Sequence, residues 1–468
     1  MKNNQIKPSI TRHKSQNHHF KNDHNENINF QSSKKSLSRT PSSEAKINSF
    51  NSKTVQKTRL NFDNPHLSTS HSQVFQNIQN YLSSQNFQDQ KNNVKVYLRF
   101  RPVNEIENKL IENGVGWICP IITENVVKID TQKAFHQNLS FSFDAIFDSY
   151  SSQEDLYSFV GKPIVNDVTC GYNGTIFAYG QSGSGKTYTM YGTENNDRGL
   201  IPRVIEDIFT FVESTNDNVK FQIKLSVFQI YKEIIYDLLT GERDLKIKEN
   251  PERGIYVEGL SEVYLTNLQD FENYSSLAQE NRIVSGTKLN QYSSRSHSIM
   301  IIEITQTYLK ENIIKKGILN LVDLAGSEKV SKTGAVGETL EEAKKINLSL
   351  SALGNVIHAL TSKREHIPYR DSKLTRILQE SLGGNYKTSL IITCSPHSYH
   401  IEETISSLLF AQRAKTIKNK VKINIKLSYE ELQNMIVSLK EKLANANREI
   451  NKLKNISENE RKKMNIIS

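Results

Sequence analysis

The chain is 468 residues long, enough for two or three domains or for one large domain with accessory segments. Its hydrophobic content of 36% is low for a single packed unit, and no apolar run reaches the roughly 18 residues of a membrane-spanning helix. The net charge is +10, but residues 1–90 hold 12 Lys/Arg against five Asp/Glu, so the excess marks a basic segment and not a uniformly basic, nucleic-acid-binding globule.

Residues 1–90 are rich in Asn, Gln, Ser, Lys and His without a sustained apolar period, which predicts a disordered basic extension. Thr40-Pro41, in SKKSLSRTPSS, is a phosphorylation candidate within it. The N-terminus is polar from its first residue and lacks a secretory apolar region. Cys119, Cys170 and Cys394 are widely spaced and odd in number, as in a reduced intracellular protein without a cysteine metal site.

Order is expected from near Asn93. Strands are read at Val94–Phe100, Leu139–Phe147, Phe221–Tyr231, Ser298–Leu309, Gly317–Val322 and Ser389–Cys394. Helical patterns lie between them at Gln153–Thr169, Pro202–Glu213 and Glu338–Thr361, the last with Ile346, Leu350, Leu353, Ile357 and Leu360 on one stripe. Such alternation predicts an α/β fold with a doubly wound sheet whose ligand sits at the strand ends. Near the C-terminus, Leu432, Ile436, Leu439, Leu443, Ala446, Ile450 and Leu453 alternate steps of four and three. That seam fits either a short dimeric coiled coil or one helix folded back on the globule. The domain boundaries read from this are an extension at 1–90, a globular unit at 91–418, a linker at 419–428, a coiled coil at 429–456 and a polar tail at 457–468.

The apolar run Thr175–Tyr179 leads into GQSGSGKT, Gly180 to Thr187, which matches G-x-x-x-x-G-K-[ST] in full. The backbone of Gly180, Gln181, Ser182, Gly183, Ser184 and Gly185 can curl its N–H groups around a polyphosphate, with Lys186 reaching the outer phosphates and Thr187 ligating Mg²⁺. A second segment, LVDLAGSE, delivers Asp323 from an apolar strand to the metal side through a water, and places the Gly326 amide where it can sense a terminal phosphate. A third, NQYSSRSH, offers Ser294 as a metal ligand and Ser293 to hold the attacking water, while Arg295 can pair with Glu328 to latch the two loops.

GQSGSGKTYTM, NQYSSRSHSI and DLAGSEKVSKTG together resemble the nucleotide loop and the two switch segments of the kinesin motor domain. The likeness runs from about Val94 to Asn424 and is nearest the conventional heavy-chain type, as in YRDSKLTRILQESLGG and LLFAQRAKTIKN. It implies a P-loop motor with a central mixed, mainly parallel sheet and helices on both faces. It also implies a purine site from Arg99, Arg101, Pro102 and Tyr188. The absence of an N-K-x-D guanine motif favours ATP, with Mg²⁺, over GTP.

By the same likeness Glu328 accepts a proton through a second water and Arg295 holds the closed state. The helix Glu338–Thr361 lies against an acidic microtubule, with contacts expected from Lys329, Lys332, Lys344, Lys345, Lys363, Arg364, Tyr369, Arg370, Lys373 and Arg376. TIKNKVKINIKL (Thr416–Leu427) resembles the neck linker, with Ile417 filling the first pocket and Asn424 clasping backbone once docked.

Three residues depart from the pattern: Gln291 stands where Glu is usual, Leu348 where Lys is usual, and Glu258 where YVKG is common. The expected function is a microtubule-stimulated ATPase moving toward the plus end, in the cytoplasm on the cytoskeleton, with a homodimer through the short seam left open. The alternative is a nucleotide-gated microtubule-binding regulator or tether, which the short seam and the chain's end soon after it would suit. A switch GTPase is disfavoured by Arg295 and Glu328.

Overall fold

A computed structural model describes residues 93–129, 139–193, 197–215, 217–251, 253–284, 294–310, 313–328, 338–427 and 429–467. The readings on residues 1–90, Thr40, Gln291, Ser293, Lys329 and Lys332 lie outside these residues, as does the side chain of Lys344.

The elements follow in chain order. β1 (Lys95–Phe100), α1 (Glu105–Glu112), β2 (Pro120–Thr123), β3 (Val126–Ile129), β4 (Leu139–Ser142) and β5 (Ala145–Phe147) come first. Next are α2 (Gln153–Leu156), α3 (Lys162–Thr169), β6 (Asn173–Tyr179), α4 (Lys186–Met190), α5 (Leu200–Ser214), β7 (Val219–Tyr231) and β8 (Ile234–Asp237). Then come β9 (Lys246–Asn250), β10 (Gly254–Glu258), β11 (Val263–Leu265), α6 (Leu268–Val284), β12 (His297–Tyr308) and β13 (Ile313–Asp323). The chain finishes with α7 (Glu338–Thr361), α8 (Lys373–Ile377), β14 (Tyr386–Cys394), α9 (Ile401–Ala414), β15 (Ile425–Leu427) and α10 (Tyr429–Ile467).

One mixed sheet carries the site, in the order β11-β7-β12-β13-β6-β14-β1-β5. β13, β6, β14, β1 and β5 pair in parallel, whereas β12 joins β13 and β7 antiparallel. β6 is central, and all seven of its residues are buried, the polar Asn173 and Thr175 included. Its N-terminal Gly174 lets α3 approach: a Cβ there would sit 2.7 Å from Ile164 Cγ2. Apolar side chains fill both faces of the sheet. One core gathers Leu353, Val356 and Ile357 of α7 with Leu374 and Leu408, and the other gathers Leu156, Ile164, Ile201, Ile205 and Phe271.

The helix expected at Gln153–Thr169 is interrupted by a π-helical turn at Tyr157–Gly161. The strand expected at Leu139–Phe147 divides at Phe143-Asp144, where Asp144 turns its carboxylate to the Val96 amide at 2.9 Å. α7 has the bounds its apolar stripe predicted. α10 runs to Ile467, so the segment expected as a polar tail from 457 continues the helix. Leu432, Ile436, Leu439, Leu443, Ile450 and Leu453 are all exposed along it, and Leu453 is 66% exposed. The seam therefore does not fold back on the globule.

The linker region is seated. Ile417 is buried, its carbonyl accepting from the Val94 amide at 3.0 Å. β6 starts at Asn173, which leaves Ile313–Lys315 of β13 without a parallel neighbour, and β15 pairs antiparallel in that lane. Asn424 closes the junction: its Nδ2 donates to Gly171 O, Asn173 Oδ1 and Lys316 O at 2.8–3.1 Å.

Asn419 is a buried amide that sequence reasoning did not single out. Its Nδ2 reaches Ser381 O, Tyr386 O and Thr388 Oγ1, and its Oδ1 accepts from the Gly383 amide at 2.7 Å. Removing it strands several buried polar groups at once, so Asn419→Ala is expected to cost about 2 kcal/mol of unfolding free energy. Urea denaturation checks this, and an unchanged midpoint would contradict it.

Candidate functional site

The phosphate loop follows directly from its strand. β6 ends at Tyr179, and a Cβ on Gly180 would collide with the Thr393 carbonyl, so only glycine can leave the strand there. Gly183 and Gly185 hold φ of +72° and +100°, turning the chain back into α4. Ser184 and Thr393 share a hydroxyl bond of 2.6 Å, tying the loop to β14. Lys186 is buried, and its Nζ donates to Gly180 O at 2.9 Å and Gln181 O at 2.8 Å. Burial pushes its pKa down, offset in part by Asp323 and Glu328.

Thr187 Oγ1 donates to Asp323 Oδ2 at 2.9 Å, so the two expected metal-side residues meet. The same oxygen accepts from Arg282 NH1 at 3.0 Å. Arg282 comes from the last turn of α6 and is buried against Asp323, a site residue that no motif in the sequence announced. Asp323 Oδ1 is buried without a hydrogen-bond partner.

The two expected switch segments touch each other and the loop. The Gly326 amide donates to Ser294 O at 2.8 Å, and the Ser327 amide to Gly180 O at 3.1 Å. The Gly326 N–H expected to face a terminal phosphate is thus engaged by the other switch. Glu328 also differs from expectation. Its Oε2 accepts from the Ser182 amide at 2.8 Å and its Oε1 from Ser182 Oγ at 2.5 Å, so the carboxylate expected on Arg295 rests on the phosphate loop instead. The physical reason is the loop's own surplus of donors, which attracts the nearest anion.

On the purine side Arg99 stays beside Tyr188, but both expected arginines are committed to protein partners. Arg99 is only 6% exposed, its NH1 donating to Gln153 Oε1 at 2.8 Å and Thr189 Oγ1 at 3.0 Å. Its guanidinium carbon lies 5.2 Å from the Tyr188 ring centroid. Arg101 spends its Nε on Gly183 O and a two-pronged contact of 2.7 Å on Glu107. Burial resists ionisation of Glu107, but Arg101, the Asn104 amide and Ser395 hold it down at about 2. Pro102 and Tyr188 are exposed and can face a base, whereas Arg99 is spent on Gln153 and α4 and Arg101 on the loop and Glu107.

A family model described as the kinesin motor domain matches residues 99–417. The kinesin heavy chain of Neurospora crassa is 51% identical over 354 residues, covering 75% of this chain and 38% of that one. Kinesin-related protein 3 of Dictyostelium discoideum is 49% identical over 372 residues, covering 78% of this chain and 31% of that one. This chain belongs to the kinesin motor family. A solved structure of a fast kinesin, described with implications for ATPase mechanism and interactions with microtubules, superposes with a TM-score of 0.67 at 49% identity. That match covers 72% of this chain and 95% of the solved one. The chain spans little more than a third of the length of the heavy chains it matches.

In this kinesin the expected filament-facing cations divide into two sets. Lys345, Lys363, Arg364 and Arg370 are exposed, Arg370 also lying 3.8 Å from Glu249. Arg376 instead pairs with Glu249 and bonds Gln379, Lys373 lies 3.7 Å from Asp244, and the Tyr369 hydroxyl donates to Leu382 O. Those three serve the globule's own β9 region and core. Leu348 and Glu258 are both exposed, Glu258 lying 3.7 Å from Lys248.

The switches are wired to α7 through His297. Its Nδ1 accepts from the Ala325 amide at 3.0 Å and its Nε2 faces Ser349 Oγ at 2.7 Å, which fixes the proton on Nε2. Burial, with Arg282 and Lys186 nearby, holds its pKa down at about 3. The unfolded chain therefore takes up this proton first, and the stability it confers is complete above about pH 6.5 and lost as pH falls toward 3. Between about pH 7.5 and about pH 5 the loss is expected to be about 2 kcal/mol. Urea denaturation across that window checks it: His297→Gln should flatten the slope, and an equal slope in both proteins would contradict the assignment.

Proposed function

We propose that this chain is a microtubule-stimulated ATPase that couples ATP hydrolysis to plus-end-directed movement along microtubules. One observation carries the proposal. Three segments distant in sequence meet at the phosphate loop through Thr187–Asp323, Gly326–Ser294 and Ser182–Glu328, so a group bound there acts on all of them at once.

ATP is the substrate, its phosphates held by the loop amides and Lys186, its base between Pro102 and Tyr188. Binding polyphosphate to the loop must move Glu328 off Ser182, since both compete for the same amide. Once released, Glu328 is free to pair with Arg295 and to accept a proton relayed from the attacking water, which Ser293 holds. The buried, unpartnered Asp323 Oδ1 suits a water of a hydrated cation, and Thr187 and Ser294 would hold Mg²⁺ there. Bound there, the ion would supply positive charge to offset the growing negative charge on the phosphoryl oxygens.

The filament partner is proposed as the acidic microtubule surface, met by Lys345 of α7 and by Lys363, Arg364 and Arg370 beyond its end. Plus-end direction is proposed because the linker follows the globular unit and seats along β13, aiming the emerging α10 away from β13's C-terminal, phosphate-side end. The exposed apolar seam of α10 suits a homodimer.

Gliding of polarity-marked microtubules over surface-bound chain tests the function directly. Movement with minus ends leading is expected, and filaments held without movement in ATP would favour a tether instead. Glu328→Ala should bind ATP yet turn it over at least about 10²-fold more slowly in microtubule-stimulated assays. Turnover near that of the parent would remove Glu328 from the chemistry.

A further inference from the structure

Away from the phosphate loop, strand periodicity builds a second polar cavity. Alternate residues of three neighbouring strands share one sheet face: Lys224 and Ser226 on β7, Ile301 and Glu303 on β12, and Lys316, Ile318 and Asn320 on β13. The register aligns them in two rows, Ser226–Ile301–Asn320 and Lys224–Glu303–Ile318. β10 and the turn after it roof this floor through Tyr256, Val257 and Leu260, and Glu380 and Tyr386 close one side. The enclosed volume is about 110 Å³. A cavity of about 150 Å³ accommodates benzene, so this one suits a ligand of roughly six heavy atoms.

Two features of the lining select the ligand. Asn320 is 6% exposed and its side chain lies beside the Tyr386 hydroxyl, yet its Oδ1 has no hydrogen-bond partner, an arrangement that costs free energy unless something donates to it. The charges give the second. Lys224 bonds Glu262 and Glu303 at 3.0 Å, Lys316 bonds Glu303 at 2.7 Å, and Arg253 bonds Glu262. Of the six charged residues lining the cavity, Glu380 alone has no partner of opposite charge among the described residues; its Oε2 accepts from the Asn385 amide at 3.1 Å. An acceptor without a donor and a carboxylate without a cation call for N–H groups carrying positive charge. Ile301, Ile318 and Val257 supply apolar walls for a short hydrocarbon body.

We propose that this cavity binds a small organic cation, an alkylguanidinium or primary alkylammonium, donating to Asn320 and Glu380. The site is independent of the nucleotide and filament readings. It shares a wall with the linker seat: Lys316 bonds Asn424 through its backbone N–H and carbonyl, and Tyr386 O accepts from Asn419.

Three near-isosteric probes test the proposal on the full chain: ethylguanidinium, neutral ethylurea and anionic butyrate, titrated by saturation-transfer NMR. Ethylguanidinium should bind saturably and at least about tenfold more tightly than the other two, the scale of one charge-assisted hydrogen bond. Glu380→Gln, which keeps an acceptor for the Asn385 amide, should erase the preference for ethylguanidinium over ethylurea. Ile301→Phe should fill the cavity from its floor and abolish binding of all three, with a thermal melt confirming that each variant is folded. Equal binding of cation, neutral and anion would overturn the proposal, as would no saturable binding or a preference that survives both substitutions.

Discussion

The hydrogen bond from the Gly326 amide to the Ser294 carbonyl, 2.8 Å long, is the constraint on which the site depends. β12 begins at His297 and β13 ends at Asp323, and Ser298 lies opposite Asp323 in the ladder. The loops at these two strand ends therefore issue from one sheet edge, beside the end of β6 that carries the phosphate loop. Neither can shift alone while that bond holds. A neutral backbone bond contributes about 1 kcal/mol net, whereas bonds to an ionised group contribute about twice that. A polyphosphate offering several charged oxygens can thus outcompete the set, including the Ser182–Glu328 contact, and rearrange all three segments together.

Two polar links connect the joined loops to α7. Asn347 Nδ2 reaches Glu328 O at 3.4 Å, and His297 joins the Ala325 amide to Ser349 on the same helix. Because Leu353, Val356 and Ile357 fill a close-packed core, α7 is expected to move as a body. The linker seat is balanced differently. Fixing each backbone residue costs about 1–2 kcal/mol, and the linker recovers this through Ile417 burial, the three-residue β15 and the Asn424 clasp.

The local parts of this arrangement were legible in the sequence. The phosphate loop, the strand before it and the α7 bounds follow from glycine placement and apolar period alone, because neighbouring residues determine them. The expectation of a linker came from the resemblance to kinesins, and in the structure Ile417 is buried while Asn424 bonds the Gly171 and Lys316 carbonyls. What escaped depends on residues far apart in the chain. Arg282 reaches Asp323 from 41 positions away, Glu249 meets Arg376 across 127, and Gln153 buries Arg99 across 54. No spacing rule exposes such pairings. The length of α10 was missed for a simpler reason: residues 457–467 are polar, but they contain neither Gly nor Pro, and Glu, Lys and Arg sustain a helix well.

The central claim is that a terminal phosphate, read by joined loops, changes how α7 meets a filament. Cosedimentation of the full chain with stabilised microtubules, without nucleotide, with ADP and with an unhydrolysable ATP analogue, tests it most directly. The account predicts dissociation constants that differ among the three, weakest with ADP and steeply salt-dependent in each. One affinity common to all three conditions would contradict it.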